Sequence, residues 1–335
     1  MAVSIKDIAE RLNVSTATVS LTLSGQGDLR KVSKETQQRV LACAKELRYQ
    51  PNVLARSLNK GYSENLGLIV PDITDSFFSQ LANQIELEAE KRNYTLMMCC
   101  SHNDYRREER MIGLLQQKRV DGLLIAPLQR PDCSPCQNLA DDFPAVTFDQ
   151  LWPHWKGNSV VSSDRKTSGE IVSRMIRRGA RRIALLCIDA ERYSIRERVL
   201  GYMEALGTAG IPFCEELFAE LSIDSYRCDL PQVLDRILAI RPRVDAFFFT
   251  THLLVEGLVH YMQERAMRLP DDSQLACFHG NTLLRSLLPS ITIAQMPIEA
   301  IASESVRLIC DQIEYRKKRI PAPQAEHLVL NCTIE

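Results

Sequence analysis

The sequence predicts a small all-α head joined to a larger α/β body of two lobes, each lobe built on a parallel sheet. Three observations lead to this prediction. The first sixty residues carry ten Lys or Arg against five Asp or Glu, although the chain of 335 residues has a net charge of only −1. Three short helical patterns fill this basic segment. Beyond it, continuous apolar runs alternate with amphipathic segments, which is typical of parallel sheets with helices on both faces.

The composition is that of an ordinary soluble globular protein, since 45% of the residues are apolar and 25% are charged. No apolar run is long enough to span a bilayer, and the N-terminus lacks the apolar stretch of a signal peptide. We therefore expect a cytoplasmic protein without a membrane contact. The odd number of cysteines, eleven, favours buried reduced thiols over a disulfide framework.

Capped helices are expected in the head. Ser4 and Asp7 fit a capping box at the start of the first helix. Its apolar face is formed by Ile5, Ile8, Ala9 and Leu12. Ser15 can cap a second helix from Thr16 to about Leu23. The outward positions of this second helix are Thr16, Ala17, Ser20 and Leu21.

A third helix should follow Ser33 and end before Pro51. Its apolar positions are Val40, Ala44 and Leu47. Three short helices with a tight turn after the first are typical of a helix-turn-helix domain, whose second helix reads the major groove of DNA. A three-helix bundle that binds no nucleic acid is the alternative.

Several ordered motifs give the chain a resemblance to a known family. They are IKDIAERLNVSTATVSLTLSG, VSKETQQRV, LRYQPN and LARSL in the head, and LGLIVPDITDSFF, QKRVDGLLIAP, ERVLGYMEAL and TIAQMP in the body. With these motifs the chain resembles the LacI/GalR family of bacterial transcription regulators over essentially its whole length. FFFTTHLL and LPDDSQLACF look most like the fructose-type catabolite regulators of that family. The resemblance implies sequence-specific DNA binding, a periplasmic-binding-protein-like body and a homodimer.

The resemblance also implies which head residues contact DNA. The positions that reach bases are Thr16, Ala17 and Leu21. The positions that contact phosphates or support them are Thr18, Ser20 and Tyr49. The predicted set also includes the N-capping serines Ser4, Ser15 and Ser33. Leu21 departs from the arginine that is frequent at its position, and because leucine offers only apolar contact, the operator should differ from the common family operator. Alternatively, Leu21 packs inside the head.

Residues 52–60 match the family's hinge helix, and residues 61–63 make a loose connection to the body. Such a short segment is not a stable helix alone, so we expect it to fold on DNA. Leu58 is placed to wedge into the minor groove and kink the duplex, with Asn59 reading the groove beside it. Further predicted contacts are Asn52 and Ala55. A plain flexible linker is the alternative.

The expected domains are a head at 1–50, a hinge and linker at 51–63 and a body at 64–335. Strand-like runs in the body are 66–70, 94–100, 122–127, 144–148, 181–188, 245–250 and 274–278. Helical patterns lie near 78–92, 105–118, 166–179, 196–208, 228–240 and 252–266. Two such units in series suggest two Rossmann-like lobes with a cleft between them. By the family resemblance, the expected lobes are 64–160 with 292–322, and 161–291 with 323–335.

Ligands of such folds bind beyond the carboxyl ends of the parallel strands. On the first lobe the residues at that edge are Asp72, Asp75, Phe77, Phe78 and Asp149. On the second lobe they are Ser194, Arg196, Arg198, Thr251, His252, His279 and Gln295. Aromatic faces ringed by hydrogen-bonding groups suit a sugar. By the resemblance, the most direct matches to effector positions are Asp149, Arg198 and Gln295.

Two histidines replace residues that are common in sugar-sensing relatives. Thr251-His252 stands where many relatives carry Asn-Asp, and His279 stands where they often carry aspartate. Beside Arg196 and Arg198, this exchange removes negative charge from the predicted pocket. The hypothesis is therefore a phosphorylated or otherwise anionic carbohydrate effector. The alternatives are a neutral sugar or no effector, and either histidine could instead be a satisfied core or helix-capping residue.

The sequence thus predicts an effector-controlled repressor of carbohydrate-metabolism genes that binds a near-palindromic double-stranded DNA operator as a homodimer. No phosphate-binding loop, catalytic serine motif or zinc-protease motif occurs in the sequence, so neither an enzyme nor a cofactor is expected. Cys133 and Cys136 form a CxxC that stands alone in the sequence, and we do not expect it to serve as a redox or metal-binding motif. The alternatives are a small-molecule-binding protein or a sugar-metabolism enzyme whose head no longer binds DNA.

Overall fold

The structure, a computed structural model of the chain, describes residues 3–49, 61–129, 139, 142–267, 274–321 and 323–335. The chain forms two compact units, Met1–Ser63 and Glu64–Glu335. Outside the described residues lie the predicted hinge contacts Asn52, Ala55, Leu58 and Asn59, together with Cys133 and Cys136. Within the described ranges, none of the helices combines the length and the apolar character that a membrane span requires.

The head contains the three helices that the sequence predicts. They are α1 (Ile5–Leu12), α2 (Thr16–Leu23) and α3 (Lys34–Glu46). The capping box of α1 is present: the Ser4 N–H donates to the Asp7 carboxylate at 2.7 Å, and the Asp7 N–H donates to the Ser4 hydroxyl at 3.4 Å. Ser15 accepts from the Thr18 N–H at 3.0 Å, and Ser33 caps α3 in the same way.

A small apolar core holds these helices together. Its buried members are Ile8, Ala9, Val19, Val40, Cys43 and Ala44. At the surface, the Arg11 guanidinium of α1 pairs with the Glu46 carboxylate of α3 at 2.7 Å. Because this pair is largely exposed, the apolar core contributes most of the stabilisation.

The body alternates strands and helices. The strands are β1 (Asn65–Val70), β2 (Thr95–Cys100), β3 (Gly122–Ile125), β4 (Ala145–Phe148), β5 (Asn158–Ser162), β6 (Ile183–Ile188), β7 (Phe218–Leu221), β8 (Ala246–Phe249), β9 (Gln274–Phe278), β10 (Thr292–Gln295), β11 (His327–Leu330) and β12 (Thr333–Ile334). The helices are α4 (Ser76–Lys91), α5 (Tyr105–Gln117), α6 (Asp164–Arg177), α7 (Tyr193–Thr208), α8 (Tyr226–Ala239), α9 (His252–Glu264), α10 (Thr282–Leu287) and α11 (Ile298–Lys318).

Two six-stranded sheets define the two lobes. The first has the order β11-β5-β4-β3-β1-β2, and the second has the order β12-β10-β9-β8-β6-β7. Neighbouring strands are parallel except for β12, which runs antiparallel to β10. Each sheet has a buried apolar cluster on both faces. This arrangement confirms the prediction of two parallel-sheet lobes covered by helices.

The expected lobe boundaries were wrong for two short strands. β10 was placed in the first lobe, but Ile293 pairs with Cys277 of β9 in the second sheet. β11 was placed in the second lobe, but Leu328 pairs with Val160 of β5 in the first sheet. Each strand completes the sheet of the lobe that the chain is about to leave. The last two crossovers therefore lie at 296–297 and 331–332, later in the chain than expected.

Replacing Ile8 by alanine should unfold the head. Ile8 is fully buried in its core, and such truncations cost about 2–5 kcal/mol, which is large for a domain of this size. Leu41→Ala is the matched control, because Leu41 lies on α3 of the same domain but is 51% exposed. Hydrogen exchange of head peptides in the full chain measures both. Unchanged head protection in Ile8→Ala would contradict this account of the core.

Candidate DNA-binding and effector sites

The exposed face of α2 carries the predicted base-reading residues. Thr16, Ala17 and Ser20 are exposed, whereas Val19 and Thr22 are buried on the opposite side. Helix α2 therefore presents a short polar surface, as expected for a helix that is predicted to enter the major groove. Of the predicted supporting residues, Thr18 is half-buried and bonds to the Ser15 hydroxyl at 2.9 Å, and Tyr49 packs against the head core.

Leu21 lies with this exposed face rather than in the core. It is half-buried, and it is not among the described apolar side chains that pack against the head core, whereas Leu23 is. The alternative in which Leu21 serves as a core residue therefore lacks support. A half-exposed leucine beside Ala17 and Ser20 can offer apolar contact to a thymine methyl group.

The two lobes of the body enclose a cavity of about 530 Å³. The cavity lies at the carboxyl ends of the strands of both sheets, where the sequence placed the ligand. Ten of the predicted effector residues line it: Asp72, Asp75, Phe77, Phe78, Asp149, Ser194, Arg198, Thr251, His252 and His279. The sequence rule thus brings together residues from both lobes.

Two carboxyl groups sit on the first-lobe side of the cavity, Asp149 buried and Asp75 half-buried. Asp75 caps α4, accepting from the Phe77 N–H at 2.8 Å, and its burial raises its pKa to about 6. Asp149 follows β4 and accepts from the Gln150 carboxamide at 3.0 Å. Burial raises the pKa of Asp149 to about 7, although the nearby charge of Arg198 opposes the shift.

Two neutral imidazoles lie on the second-lobe side. His252 Nε2 is 3.1 Å from the Ser76 hydroxyl and 3.5 Å from the Asp75 carboxylate. Burial and the charge of Arg198 lower the pKa of His252 to about 4. Burial also lowers the pKa of His279 to about 3, with His252 and Arg198 adding to the effect. Both histidines are therefore uncharged at neutral pH.

The ring of His279 is buried and packs against two other rings. Its ring meets the rings of His252 and Phe77 edge to face, with centroids 4.9 and 5.5 Å away. Both nitrogens are buried, and neither has a hydrogen-bond partner among the residues that the structure describes. A buried polar group without a partner costs free energy, so a hydrogen bond to either nitrogen of His279 would stabilise the site.

Arg198 extends from α7 into the floor of the cavity. Its Nε donates to the Asp164 carboxylate at 2.7 Å, and its Nη1 donates to the Thr250 carbonyl at 2.6 Å. Its Nη2 lies 3.5 Å from the Met296 sulfur, and the guanidinium carbon is 4.1 Å from the centre of the Phe278 ring. Every nitrogen of the guanidinium thus already has a protein partner.

The comparisons with known proteins agree with this architecture. Residues 4–52 match the model for bacterial regulatory proteins of the lacI family, and residues 172–334 match a periplasmic binding protein-like domain. The ribose operon repressor of Halalkalibacterium halodurans is 30% identical over 93% of this chain and 90% of its own. The sucrose operon repressor of Klebsiella pneumoniae is 31% identical over 93% of this chain and 92% of its own. The chain belongs to the LacI family.

As a LacI-family member, the chain is a DNA-binding transcription regulator, which confirms the function predicted from its motifs. A crystal structure of the Lac repressor bound to ONPG has the same fold, with a TM-score of 0.84 and 20% identity. The alignment covers 100% of this chain and 98% of that one. The narrower likeness to the fructose-type regulators stays a prediction.

Two predicted effector residues of this LacI-family body do not reach the cavity. Arg196 is more than half exposed on α7, because it lies two residues, and so more than half a helical turn, from the inward-facing Arg198. Gln295 is the last residue of β10 and pairs with Thr333. The next residue, Met296, lines the cavity instead.

Several residues that line the cavity were not predicted from the sequence. They include Ser76, Asn103, Gln150, Arg192, Asp224, Tyr226, Arg227, Glu256 and Met296. Asn103 and Gln150 follow β2 and β4, so the same strand-end rule could have found them. Arg227 follows β7, a strand of four residues that the apolar pattern did not reveal.

A Leu21→Arg exchange should change which operator this regulator prefers. Arginine can form two hydrogen bonds to one guanine, whereas leucine can contact only apolar groups. Binding-site selection with both proteins measures the change, and nonspecific affinity should change much less. Leu41→Arg, on α3 of the same head, controls for added charge. The same consensus for Leu21→Arg and the wild type would show that residue 21 does not read bases.

Proposed function

We propose that this regulator is a repressor of carbohydrate-metabolism genes and that an uncharged carbohydrate in the cavity between its lobes controls its affinity for DNA. The observation that carries the proposal is the convergence of aromatic rings and buried hydrogen-bonding groups at the strand ends of both lobes. The relatives that act on the ribose and sucrose operons support a carbohydrate as the ligand class.

The charges around the cavity favour an uncharged ligand over an anionic one. The hypothesis of an anionic effector assumed free positive charge near the histidines, but Arg196 lies outside the cavity and Arg198 is bound to Asp164. The histidines themselves are neutral. The carboxyl groups that line the cavity are Asp72, Asp75, Asp149, Asp224 and Glu256, against the arginines Arg192, Arg198 and Arg227. A phosphate group would therefore enter a cavity with an excess of carboxyl groups.

The mode of action follows from the two lobes and the head. A homodimer in the cytoplasm places two α2 helices on a near-palindromic operator, since the symmetry of the protein imposes that of the site. Predicted DNA contacts are Ser4, Ser15, Thr16, Ala17, Thr18, Ser20, Leu21, Ser33 and Tyr49. An effector acts by its difference in affinity between the DNA-binding state and the released state.

Calorimetric titration of the full chain tests the ligand class. The panel contains uncharged sugars, including ribose and sucrose, each matched with a phosphate ester of the same sugar or of one of its monosaccharide units. We expect an uncharged sugar to bind and to change operator affinity. Arg192→Ala should weaken binding about tenfold, because Arg192 lines the cavity, and Arg196→Ala is the matched control outside it. Binding of phosphate esters alone would overturn the uncharged class, and binding of neither would overturn control by a carbohydrate.

Sugar affinity should fall as the pH drops below about 7. Asp149, with a pKa of about 7 in the free protein, holds a proton below that value. A sugar hydroxyl that donates to the carboxylate requires the ionised form, so affinity falls up to about tenfold per pH unit below 7 and levels off above it. Titrations at several pH values measure the slope. Asp149→Asn should remove it, and a slope of opposite sign would contradict the role given to Asp149.

A further inference from the structure

Helix α7 does not cap its own N-terminus. It begins at Tyr193, and the preceding Arg192 makes no side-chain cap hydrogen bond within the described part of the chain. The first N–H groups of a helix have no partner inside the helix and need an acceptor from elsewhere. Gln150 supplies one from the opposite lobe: its Oε1 accepts from the Ser194 N–H at 3.3 Å. The helix of one lobe is thus capped by a side chain of the other.

The same glutamine makes two further hydrogen bonds. Its Nε2 donates to the Ser194 hydroxyl at 2.5 Å and to the Asp149 carboxylate of its own lobe at 3.0 Å. Gln150 is 7% exposed and Ser194 is 2% exposed. Hydrogen bonds shielded from water in this way are stronger than exposed ones, and a buried group that loses its partner is costly.

Among the described residues, further polar contacts also cross the cleft between the lobes. The Asn103 carbonyl oxygen accepts from the Arg192 guanidinium at 3.1 Å, and the Ser76 hydroxyl lies 3.1 Å from His252 Nε2. Each joins a segment that follows a first-lobe strand to the start of a second-lobe helix. Gln150 differs from both because it joins the lobes through two hydrogen bonds to one residue.

We propose that Gln150 is a positioning residue that holds the two lobes closed through protein contacts alone, so that closure of the cavity does not require an effector. The inference rests on the proposed function only in treating the cavity as the effector site. An effector then meets a population that is already largely closed, and its contribution to closure is correspondingly small.

Single-molecule energy transfer between the lobes tests this inference without any sugar. Dyes are attached through non-natural amino acids at Lys118 of the first lobe and Arg236 of the second, both exposed, in the full-length protein. We expect mainly one high-transfer population in the wild type. In Gln150→Ala the closed-to-open ratio should fall about tenfold or more, because both hydrogen bonds to Ser194 are lost.

Three further variants separate this role from general destabilisation. Gln150→Asn keeps the carboxamide but is one methylene shorter, so it should behave like Gln150→Ala. Ser194→Ala removes only the hydroxyl and should give an intermediate ratio. Adding Ser194→Ala to Gln150→Ala should change nothing more, because the contact is shared. Gln263→Ala, an exposed glutamine on α9, is the control and should match the wild type.

Three results would overturn the role proposed for Gln150. The same transfer distribution in Gln150→Ala as in the wild type overturns the inference, and so does a wild-type distribution in Ser194→Ala if Gln150→Ala fails to fold. Equal loss of closure in Gln263→Ala would also overturn it, because the effect would then not depend on the cross-cleft contact. Because no sugar is present, these outcomes are independent of whether a carbohydrate is the effector.

Discussion

The buried guanidinium of Arg198 is the contact on which the geometry of the effector site depends. It bonds to Asp164, which follows the first crossover between the lobes, and it touches Met296, which lies at the second. It also fixes the end of β8 through the Thr250 carbonyl and lies over the Phe278 ring. A buried ion pair adds little net stability, but breaking one by removing a partner costs about 3–5 kcal/mol. We therefore interpret Arg198 as the residue that holds the two crossover segments in place relative to each other and to the cavity floor.

The neutrality of the cavity floor follows from the same arrangement. Arg198 is paired with Asp164, and burial disfavours protonation of His252 and His279, with the charge of Arg198 adding to the effect. The floor therefore presents imidazoles that can each donate one hydrogen bond and accept one, where a carboxylate could only accept. Hydroxyl groups can meet both demands, since each is a donor and an acceptor. The sugar proposed as the ligand would be recognised here by hydrogen bonds and ring contacts, with little contribution from net charge.

The sequence predicted those features that depend on local pattern. Helix caps such as Ser4 and Ser15, strand order along the chain and the strand-end location of the ligand site all follow from short-range rules. Features that depend on distant partners were missed or misplaced. Gln150 and Ser194 are 44 positions apart and meet only because two lobes close, and no local pattern contains that contact. Arg196 was assigned to the cavity because sequence proximity to Arg198 does not specify which side of a helix faces inward.

A cleft that closes through its own contacts limits what an effector can do. A ligand shifts an equilibrium only by its difference in affinity for the two states, so one that merely replaced the contact between Gln150 and Ser194 would gain little. The difference must come from groups that the cross-cleft contacts leave without partners. His279 is such a group, because both of its nitrogens are buried and lack hydrogen bonds within the described part of the chain. The rings of Phe77 and His252 pack against the ring that carries those nitrogens, and His279 also lines the cavity. A ligand that gave His279 a hydrogen bond in only one state of the cavity would therefore supply the difference in affinity that control of the body requires.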